Sequence, residues 1–210
     1  MIAAALFAFA ATPLRKVVLS WMCQARHART IDVDAALARL DERYPDCATF
    51  LIDPRPRHTF FGATPELLIQ VRTREFCKDS LVGSAPRGAT PNEDYANAQA
   101  LFDSAKNRHE HELVVEAIRR RLDPLAPRSM RPPRPRCLSN IHLLYTTISG
   151  RLAWPAGVLF LIELLHPPPA LGVTPRDLAL EFIRWHESAL RGWYPEPIGW
   201  IDHNLTDRLL

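Results

Sequence analysis

The sequence has few lysines, few glycines and no closely spaced cysteines. Lysine occurs only at Lys16, Lys78 and Lys106, although 26 residues in all are lysine or arginine. The 4 cysteines are scattered without a Cys-x-x-Cys pair. Because zinc ligands usually come in close pairs, no structural zinc site is expected. No secretory signal is recognisable, and scattered thiols of this kind predict a reduced, cytoplasmic protein.

No apolar run is long enough to cross a bilayer, which takes about 20 residues. Met1–Ala11 is apolar but has no preceding basic residue, and the shorter run Val158–Leu165 contains Glu163. Both runs are predicted to be buried helices. The net charge of +3 is mild and spread along the chain. Neither a membrane nor a nucleic acid is therefore expected as a partner.

The overall composition is that of an ordinary soluble globular protein. The chain has 210 residues, of which 47% are hydrophobic and 23% are charged. This length suits one domain with a substantial hydrophobic core. It excludes a short disulfide scaffold, a disordered tail and a coiled coil, and the sequence contains no internal repeat.

Hydrophobic periodicity predicts several helices. Asp32–Arg43 is amphipathic, with Asp32 as its N-cap. One long helix is predicted over Asp94–Leu122 and a buried helix over Ala156–Leu165. Thr174–Asp177 is typical of a helix start, with a threonine N-cap and proline at the first helical position.

Short β-branched and aromatic runs predict strands between these helices. Ser84–Asp94 is predicted to be a loop, and so is the Pro/Arg-rich segment 124–136, because prolines cannot complete a sheet ladder. Strands and helices mix without strict alternation, so the fold class is predicted to be α+β. The predicted strands are Leu14–Ser20, Ala48–Ile52, His58–Phe61, Glu66–Val71, Ile141–Ser149 and one beginning at Gly199–Asp202.

A series of short motifs follows in a fixed order along nearly the whole chain. They are Lys16–Ser20, Gly62–Leu68, Gly83–Gly88, Lys106–Val115, His166–Leu171, Arg191–Tyr194 and Pro197–Asp202. In this order they resemble the chorismate-utilising enzymes, which include isochorismate, salicylate, anthranilate and aminodeoxychorismate synthases. The forms KVVLS and KNRHEH are most similar to isochorismate synthases of the siderophore type.

The resemblance covers about residues 14–202 and implies the middle of a longer enzyme. It implies a single partial chorismate-binding domain over 1–210, with mixed or antiparallel sheet layers and helices packed outside. The tail His203–Leu210 does not resemble the family, so the chain is expected to be truncated at both ends. Truncation would impair activity and would leave a sheet edge open to self-association.

The implied activity is the magnesium-dependent isomerisation of chorismate to isochorismate, in which water adds at C2 and the C4 hydroxyl leaves. By resemblance, Lys16 is the base that activates water, provided that burial lowers its pKa. Glu66 is the general acid, for which burial should raise the pKa. Glu110 matches a magnesium-binding carboxylate, since magnesium prefers oxygen ligands. The substrate-binding residues implied by the family are Gly83, His166 and Ala170.

Each of these residues also has an ordinary structural interpretation. Lys16 could be a surface lysine at a strand end, Glu66 a solvated residue after a turn proline, and Glu110 part of a polar helix face. His111 is as consistent with a structural role as with orienting the site. Product and role stay open: a salicylate synthase and a degenerate non-catalytic fragment are the alternatives. Three further motif residues are expected to belong to the scaffold, namely Arg87 as an ion-pair partner, Lys106 and Arg191.

Overall fold

An antiparallel sheet with helices packed against it forms the main body of the protein. The computed structural model describes residues 1–126, 128–167, 173–202 and 206–210. Within these ranges no helix is both long enough and apolar enough to span a membrane. The helices are α1 (Ile2–Ala11), α2 (Val33–Arg43), α3 (Pro91–Asp103), α4 (Ala105–Leu122), α5 (Val158–Leu165) and α6 (Arg176–His186).

The strands form one large sheet and two small ones. Their bounds are β1 (Lys16–Val17), β2 (Ala48–Arg55), β3 (His58–Thr64), β4 (Ile69–Arg72), β5 (Glu75–Pro86), β6 (Arg128–Met130), β7 (Arg134–Cys137), β8 (Ile141–Arg151), β9 (Val173–Thr174), β10 (Gly199–Trp200) and β11 (Thr206–Leu209). The 7-stranded sheet has the order β10-β11-β4-β5-β8-β6, and β7 also pairs with β8. The small sheets pair β1 with β9 and β2 with β3. All the described pairings are antiparallel, which confirms the predicted α+β class.

The long β5–β8 pair is the centre of the large sheet. Lys78 lies opposite Ile148, and Ser80 lies opposite Thr146, so these residues share one face of the sheet. That face is covered by α4 and α5 and forms the main core. The buried residues of the main core are Leu68, Ile69, Val71, Phe76, Val82, Val114, Val115, Ile118, Leu122, Leu125, Ala126, Ile148, Leu152, Val158, Leu161, Leu165 and Leu209.

A separate small core joins the N-terminal segment to α6. Its buried members are Ala5, Leu14, Ala179, Phe182 and Ile183. Val17 of β1 and Leu19 just after it pack against this core, partly buried, together with Ala4, Ala8 and Leu180. The strand β1 therefore packs against the small core. It has two residues, whereas the sequence predicted a longer strand over 14–20.

Local capping chemistry explains where several helices begin and end. The Asp32 carboxylate accepts a hydrogen bond from the Ala35 amide at 3.0 Å, so the predicted N-cap of α2 is confirmed. Ser104 ends α3 in an extended conformation and its hydroxyl accepts from the Asn107 amide, which starts α4. The single helix predicted over 94–122 is therefore wrong. At α6 the N-cap is Pro175, without a side-chain cap, rather than Thr174.

The two loops predicted over 84–94 and 124–136 both contain strands of the large sheet, so these predictions are wrong in part. β5 extends to Pro86 and α3 begins at Pro91, so little of 84–94 is loop. Within the proline-rich segment, β6 and β7 both pair with β8, and Pro135 lies opposite Leu144. A proline lacks only the amide donor, so its carbonyl and its neighbours still serve an edge strand.

The two apolar runs have different surroundings. In α5, Val158, Leu161 and Leu165 are buried in the main core, as predicted. In α1 only Ala5 is buried, whereas Leu6 and Phe7 are exposed. The run therefore forms the predicted helix, but the prediction that it is buried is wrong.

Candidate functional site

Lys16 lies half-buried in β1, close to the beginning of α4. Its backbone pairs with Thr174 of β9. Burial lowers the pKa of Lys16, and the nearby negative charge of Glu110 partly opposes this shift. The structure thus brings the predicted base and the predicted metal-binding carboxylate together.

A polar anchor holds the segment that follows Lys16. The Ser20 amide and hydroxyl donate to the two carboxylate oxygens of Glu187 at 2.7 Å and 2.9 Å. Arg191 donates to the same carboxylate at 2.8 Å and to the Val18 carbonyl at 2.7 Å. The Arg191 hydrogen bonds hold the pKa of Glu187 down to about 2. The scaffold role predicted for Arg191 is therefore confirmed.

Gly83 packs closely on the first turn of α4. Its φ of 84° is in the left-handed region, and a β-carbon there would lie 3.2 Å from Cβ of Asn107. Asn107 is one turn before Glu110, so Gly83, Glu110 and Lys16 lie around the same end of α4. The left-handed conformation and the close helix contact already require glycine at position 83, and its substrate role stays a prediction.

Glu66 lies in a cleft of about 410 Å³. This volume is typical of small-molecule sites. Aromatic rings from the β2–β3 hairpin, Phe50 and Phe60, form one wall, and Tyr194 lies in the other. His166, at the end of α5, also lines the cleft. The structure therefore brings two predicted site residues, Glu66 and His166, into one apolar cleft.

Burial raises the pKa of Glu66, which favours the protonated form that a general acid needs. Lys78 lowers this pKa and Asp79 raises it, both through their charges. The Glu66 amide donates to the Thr64 hydroxyl at 3.2 Å, which fixes the backbone at the cleft edge. Burial thus favours the protonated carboxyl, and the role of Glu66 as the general acid stays a prediction.

His166 faces a second carboxylate in the cleft. Its Nε2 lies 3.7 Å from Oε2 of Glu196. Ala170, the third predicted substrate residue, lies outside the described residues. Lys16 and Glu110 are not among the residues that line this cleft, and we therefore describe two groups of predicted residues, one at the start of α4 and one around Glu66.

Several motif residues serve the scaffold. His111 is buried against β8, with Nε2 at 2.8 Å from the Thr146 hydroxyl, and burial lowers its pKa. Arg87 pairs with Asp94 at 2.7 Å, as predicted, and the pair holds the pKa of Asp94 well below its usual range. His142 Nε2 lies 2.8 Å from the same carboxylate. Lys106 is exposed on α4.

The residues around Glu110 do not make a magnesium site by themselves. In the described ranges no group of three or more His, Cys, Asp or Glu side chains is close enough to hold a metal ion. Glu110 supplies one carboxylate, and its charged neighbour is the Lys16 amine. Magnesium retains its water unless several oxygen ligands act together. Glu110 therefore does not make a complete magnesium site with the other described residues, and no step of the proposed reaction passes through the metal.

Two features of the site were not anticipated. The first is Lys78, which is completely buried in the main core although sequence rules place lysine at the surface. The second is the aromatic wall of the cleft, which depends on the β2–β3 pairing. Lys78 lies outside every motif of the sequence, and only the β5–β8 register shows which face of the sheet it occupies.

Comparison with known proteins gives consistent matches along the chain. The family model described as chorismate binding enzyme matches residues 1–207. The salicylate biosynthesis isochorismate synthase of Pseudomonas aeruginosa is 42% identical over 189 residues, which cover 89% of this chain and 39% of that protein. The isochorismate synthase DhbC of Bacillus subtilis is 34% identical over 198 residues, which cover 90% of this chain and 50% of that protein.

A solved structure agrees with these sequence matches. The menaquinone-specific isochorismate synthase MenF of Escherichia coli matches with a TM-score of 0.89 at 25% identity. The match covers 99% of this chain and 48% of that one. The chain thus spans from 39% to 50% of the length of these relatives.

Proposed function

Because the chain belongs to the chorismate-binding enzyme family, we propose that it carries the lysine and glutamate groups of an isochorismate synthase site. The substrate is chorismate and the product is its isomer isochorismate. Lys16 removes a proton from water as the water oxygen bonds to C2 of the ring. Glu66 donates its proton to the C4 hydroxyl, which leaves as water while both ring double bonds shift, from C1=C2 to C1=C6 and from C5=C6 to C4=C5.

The observation that carries this proposal is the pair of opposite pKa shifts at its two reacting groups. Burial lowers the pKa of the Lys16 amine and raises the pKa of the Glu66 carboxyl. A base needs to be unprotonated near neutral pH and an acid needs to be protonated, so each shift is in the useful direction. The remaining groups at the start of α4 and in the cleft, Gly83 and His166, then contact the substrate, as does Ala170.

The proposal includes a magnesium requirement, with Glu110 as the one carboxylate ligand identified among the described residues, and a place in a biosynthetic pathway. A lone Glu110 carboxylate holds the metal poorly, so we expect slow turnover by this chain. The relatives are named for salicylate biosynthesis and for menaquinone, and the chain serves siderophore or menaquinone biosynthesis in our proposal. We also assign it to the cytoplasm, since its four cysteines are free in the structure.

A second candidate is a non-catalytic chorismate-binding fragment. The lack of a metal-binding cluster in the described part of the chain favours it. Under this alternative, chorismate binds without turnover. Both candidates share the ligand, so binding and turnover need to be measured separately.

The test measures chorismate binding and product formation by the purified chain, with and without Mg²⁺. We expect binding, seen as quenching of tryptophan fluorescence, and a slow formation of isochorismate that mass spectrometry identifies. Lys16→Ala should abolish turnover, because no other group in the proposal activates the water. Lys106→Ala, which removes an exposed lysine on α4, is the matched control and should leave turnover unchanged.

The outcomes separate the candidates. Binding without turnover favours the non-catalytic fragment, and salicylate with pyruvate as products indicates a salicylate synthase. Equal turnover by Lys16→Ala and the unsubstituted chain would refute the role of Lys16. Absence of both binding and turnover would refute the proposal as a whole.

A further inference from the structure

Lys78 is a buried charge that the proposed chemistry does not yet use. It lies in β5 opposite Ile148, on the face covered by α4 and α5, and is completely inaccessible to solvent. Its Nζ has no hydrogen-bond partner among the described residues. Burying an ammonium without a compensating group is very costly, so a nearby negative charge is needed to keep it protonated.

The nearest element to supply that charge is the connection before β4. The Asp79 amide donates to the Leu67 carbonyl at 3.2 Å, which aligns residues 66–67 with residues 78–79. Glu66 is consequently a neighbour of Lys78, with its carboxyl at the cleft. Burial lowers the pKa of Lys78, and the charges of Glu66 and Asp79 oppose this shift. Burial raises the pKa of Glu66, and the charge of Lys78 opposes that shift.

The other charged groups near this pair have contacts of their own. Asp79, on the opposite face of β5, lies 3.8 Å from Arg136 of β7. Arg121 of α4 donates to the Leu165 carbonyl at 3.1 Å, and its positive charge disfavours the Lys78 ammonium. In the cleft, His166 and Glu196 lie 3.7 Å apart. Two carboxylates therefore favour the Lys78 ammonium through their charge, Glu66 and, from the opposite face of β5, Asp79. Of the two, Glu66 is the one that lines the cleft.

We propose that Lys78 is a positioning residue whose enclosed ammonium is the counter-charge of the Glu66 carboxylate. The inference rests on the proposed function, in which Glu66 is the acid. When Glu66 gives its proton to the leaving hydroxyl, the O–H electron pair stays on the carboxyl and creates a negative charge at an apolar wall. Lys78 stabilises that charge from behind and makes Glu66 a stronger acid than burial alone would allow.

The scarcity of lysine makes a direct test practical. Lysine labelled with ¹³C at Cε gives only three side-chain signals, from Lys16, Lys78 and Lys106, which single Lys→Met variants assign. The Lys78 signal is titrated by NMR in the unsubstituted chain and in Glu66→Gln. Because the coupling of two sites is reciprocal, removing the Glu66 charge should lower the pKa of Lys78 by about 1 unit or more.

A matched control is Glu75→Gln, which removes an exposed glutamate of the same strand that pairs with Arg151. The Lys78 titration should be unchanged in this variant, and the Lys106 signal should be unchanged in both. A Lys78 signal that titrates at the same pH in Glu66→Gln as in the unsubstituted chain would overturn the inference.

Lys78→Met supplies the reciprocal measurement, in which the carboxyl ¹³C signal of Glu66 should titrate at higher pH. If Lys78→Met does not fold, the Glu66→Gln comparison still decides the matter, since Glu66 lies at the cleft. None of these readouts needs turnover. Coupled titration of Lys78 and Glu66 in a chain without activity would support the inference and refute the proposed function. Independent titration of the two groups in an active chain would refute the inference and support the proposed function.

Discussion

The two cores of the protein support the two groups of site residues in different ways. The main core has 17 buried hydrophobic residues among those described, contributed by the large sheet and by α4 and α5. The small core has 5, shared by α1, Leu14 and α6. Glu66 and Glu110 belong to elements that pack on the main core, whereas Lys16 belongs to a strand that packs on the small one.

Packing therefore positions the proposed acid, whereas polar contacts position the proposed base. Around Glu66, the sheet and the aromatic wall fix the backbone by buried area. Around Lys16, the two-residue strand has few buried neighbours, and the Glu187 carboxylate with Ser20 and Arg191 provides the directional contacts. Regions with few buried contacts open at lower free energy than the main core. We therefore expect the Lys16 segment to open before the Glu66 cleft does.

The largest expected effect is on the main core. Leu161 of α5 is completely buried, so Leu161→Ala should lower the free energy of unfolding by about 2–5 kcal/mol. Ile183→Ala in the small core should lower it by less, because that core can open locally. Urea unfolding followed by circular dichroism measures both. Equal losses would show that the two cores unfold as one unit and would break the comparison.

The next effect is specific to the anchor of Lys16. Glu187→Gln removes the charge that accepts from Ser20 and Arg191, and should weaken this region by about 1–3 kcal/mol. Hydrogen exchange of the amides at 18–20 measures the local opening. Exchange at Ile148 in the main core, which should not change, is the internal control.

The same anchor gives a pH dependence with a defined sign. The pKa of Glu187 in the folded state is about 2, below its unfolded value of about 4.3. The carboxylate therefore stabilises the fold above about pH 4, and this contribution is lost as the pH falls through about 2. Exchange at 18–20 should rise over that range in the unsubstituted chain relative to Glu187→Gln. A constant ratio between the two proteins would contradict the anchor role.

Local chemistry was sufficient to predict much of the fold. The Asp32 cap and the helical spacing that follows it define α2, and the alternation over 141–149 defines most of β8. Prediction failed where tertiary contacts decide. The apolar spacing continues across Ser104, so only its capping contact separates α3 from α4. β5 was missed because Lys78 and Asp79 made a buried strand look polar.

In the site, too, local sequence predicts the individual residues, whereas tertiary contacts decide how they are grouped. Motif order identified Lys16, Glu66 and Glu110, because each belongs to a short run of characteristic residues. Their grouping could not be predicted, since it depends on which residues the register of β5 brings beside each other. The contact between residues 66–67 and 78–79 joins two separate motif regions. No local pattern in either segment indicates that contact.

The smallest expected effect on stability concerns the predicted self-association. Self-association was predicted to occur through an uncovered sheet edge. In the structure, the candidate edge is the end strand β10, which contains Trp200. The apolar face of α1, where Phe7 is 74% exposed, is a competing surface on the small core. Phe7→Ser should change the free energy of unfolding by no more than about 0.5 kcal/mol, because the side chain is exposed. Trp200 is half exposed and Arg208 lies over its ring, so Trp200→Lys should cost about 1 kcal/mol.

Sedimentation velocity over a range of concentrations separates the two surfaces. If the sheet edge mediates association, Trp200→Lys should shift the protein towards monomer, because a charged edge residue opposes strand pairing. Phe7→Ser should then leave the distribution unchanged. If Phe7→Ser shifts the protein towards monomer and Trp200→Lys does not, association is through α1. A second copy would then pack against the small core, on which the Lys16 strand lies. A monomeric unsubstituted chain at all concentrations would contradict self-association through either surface.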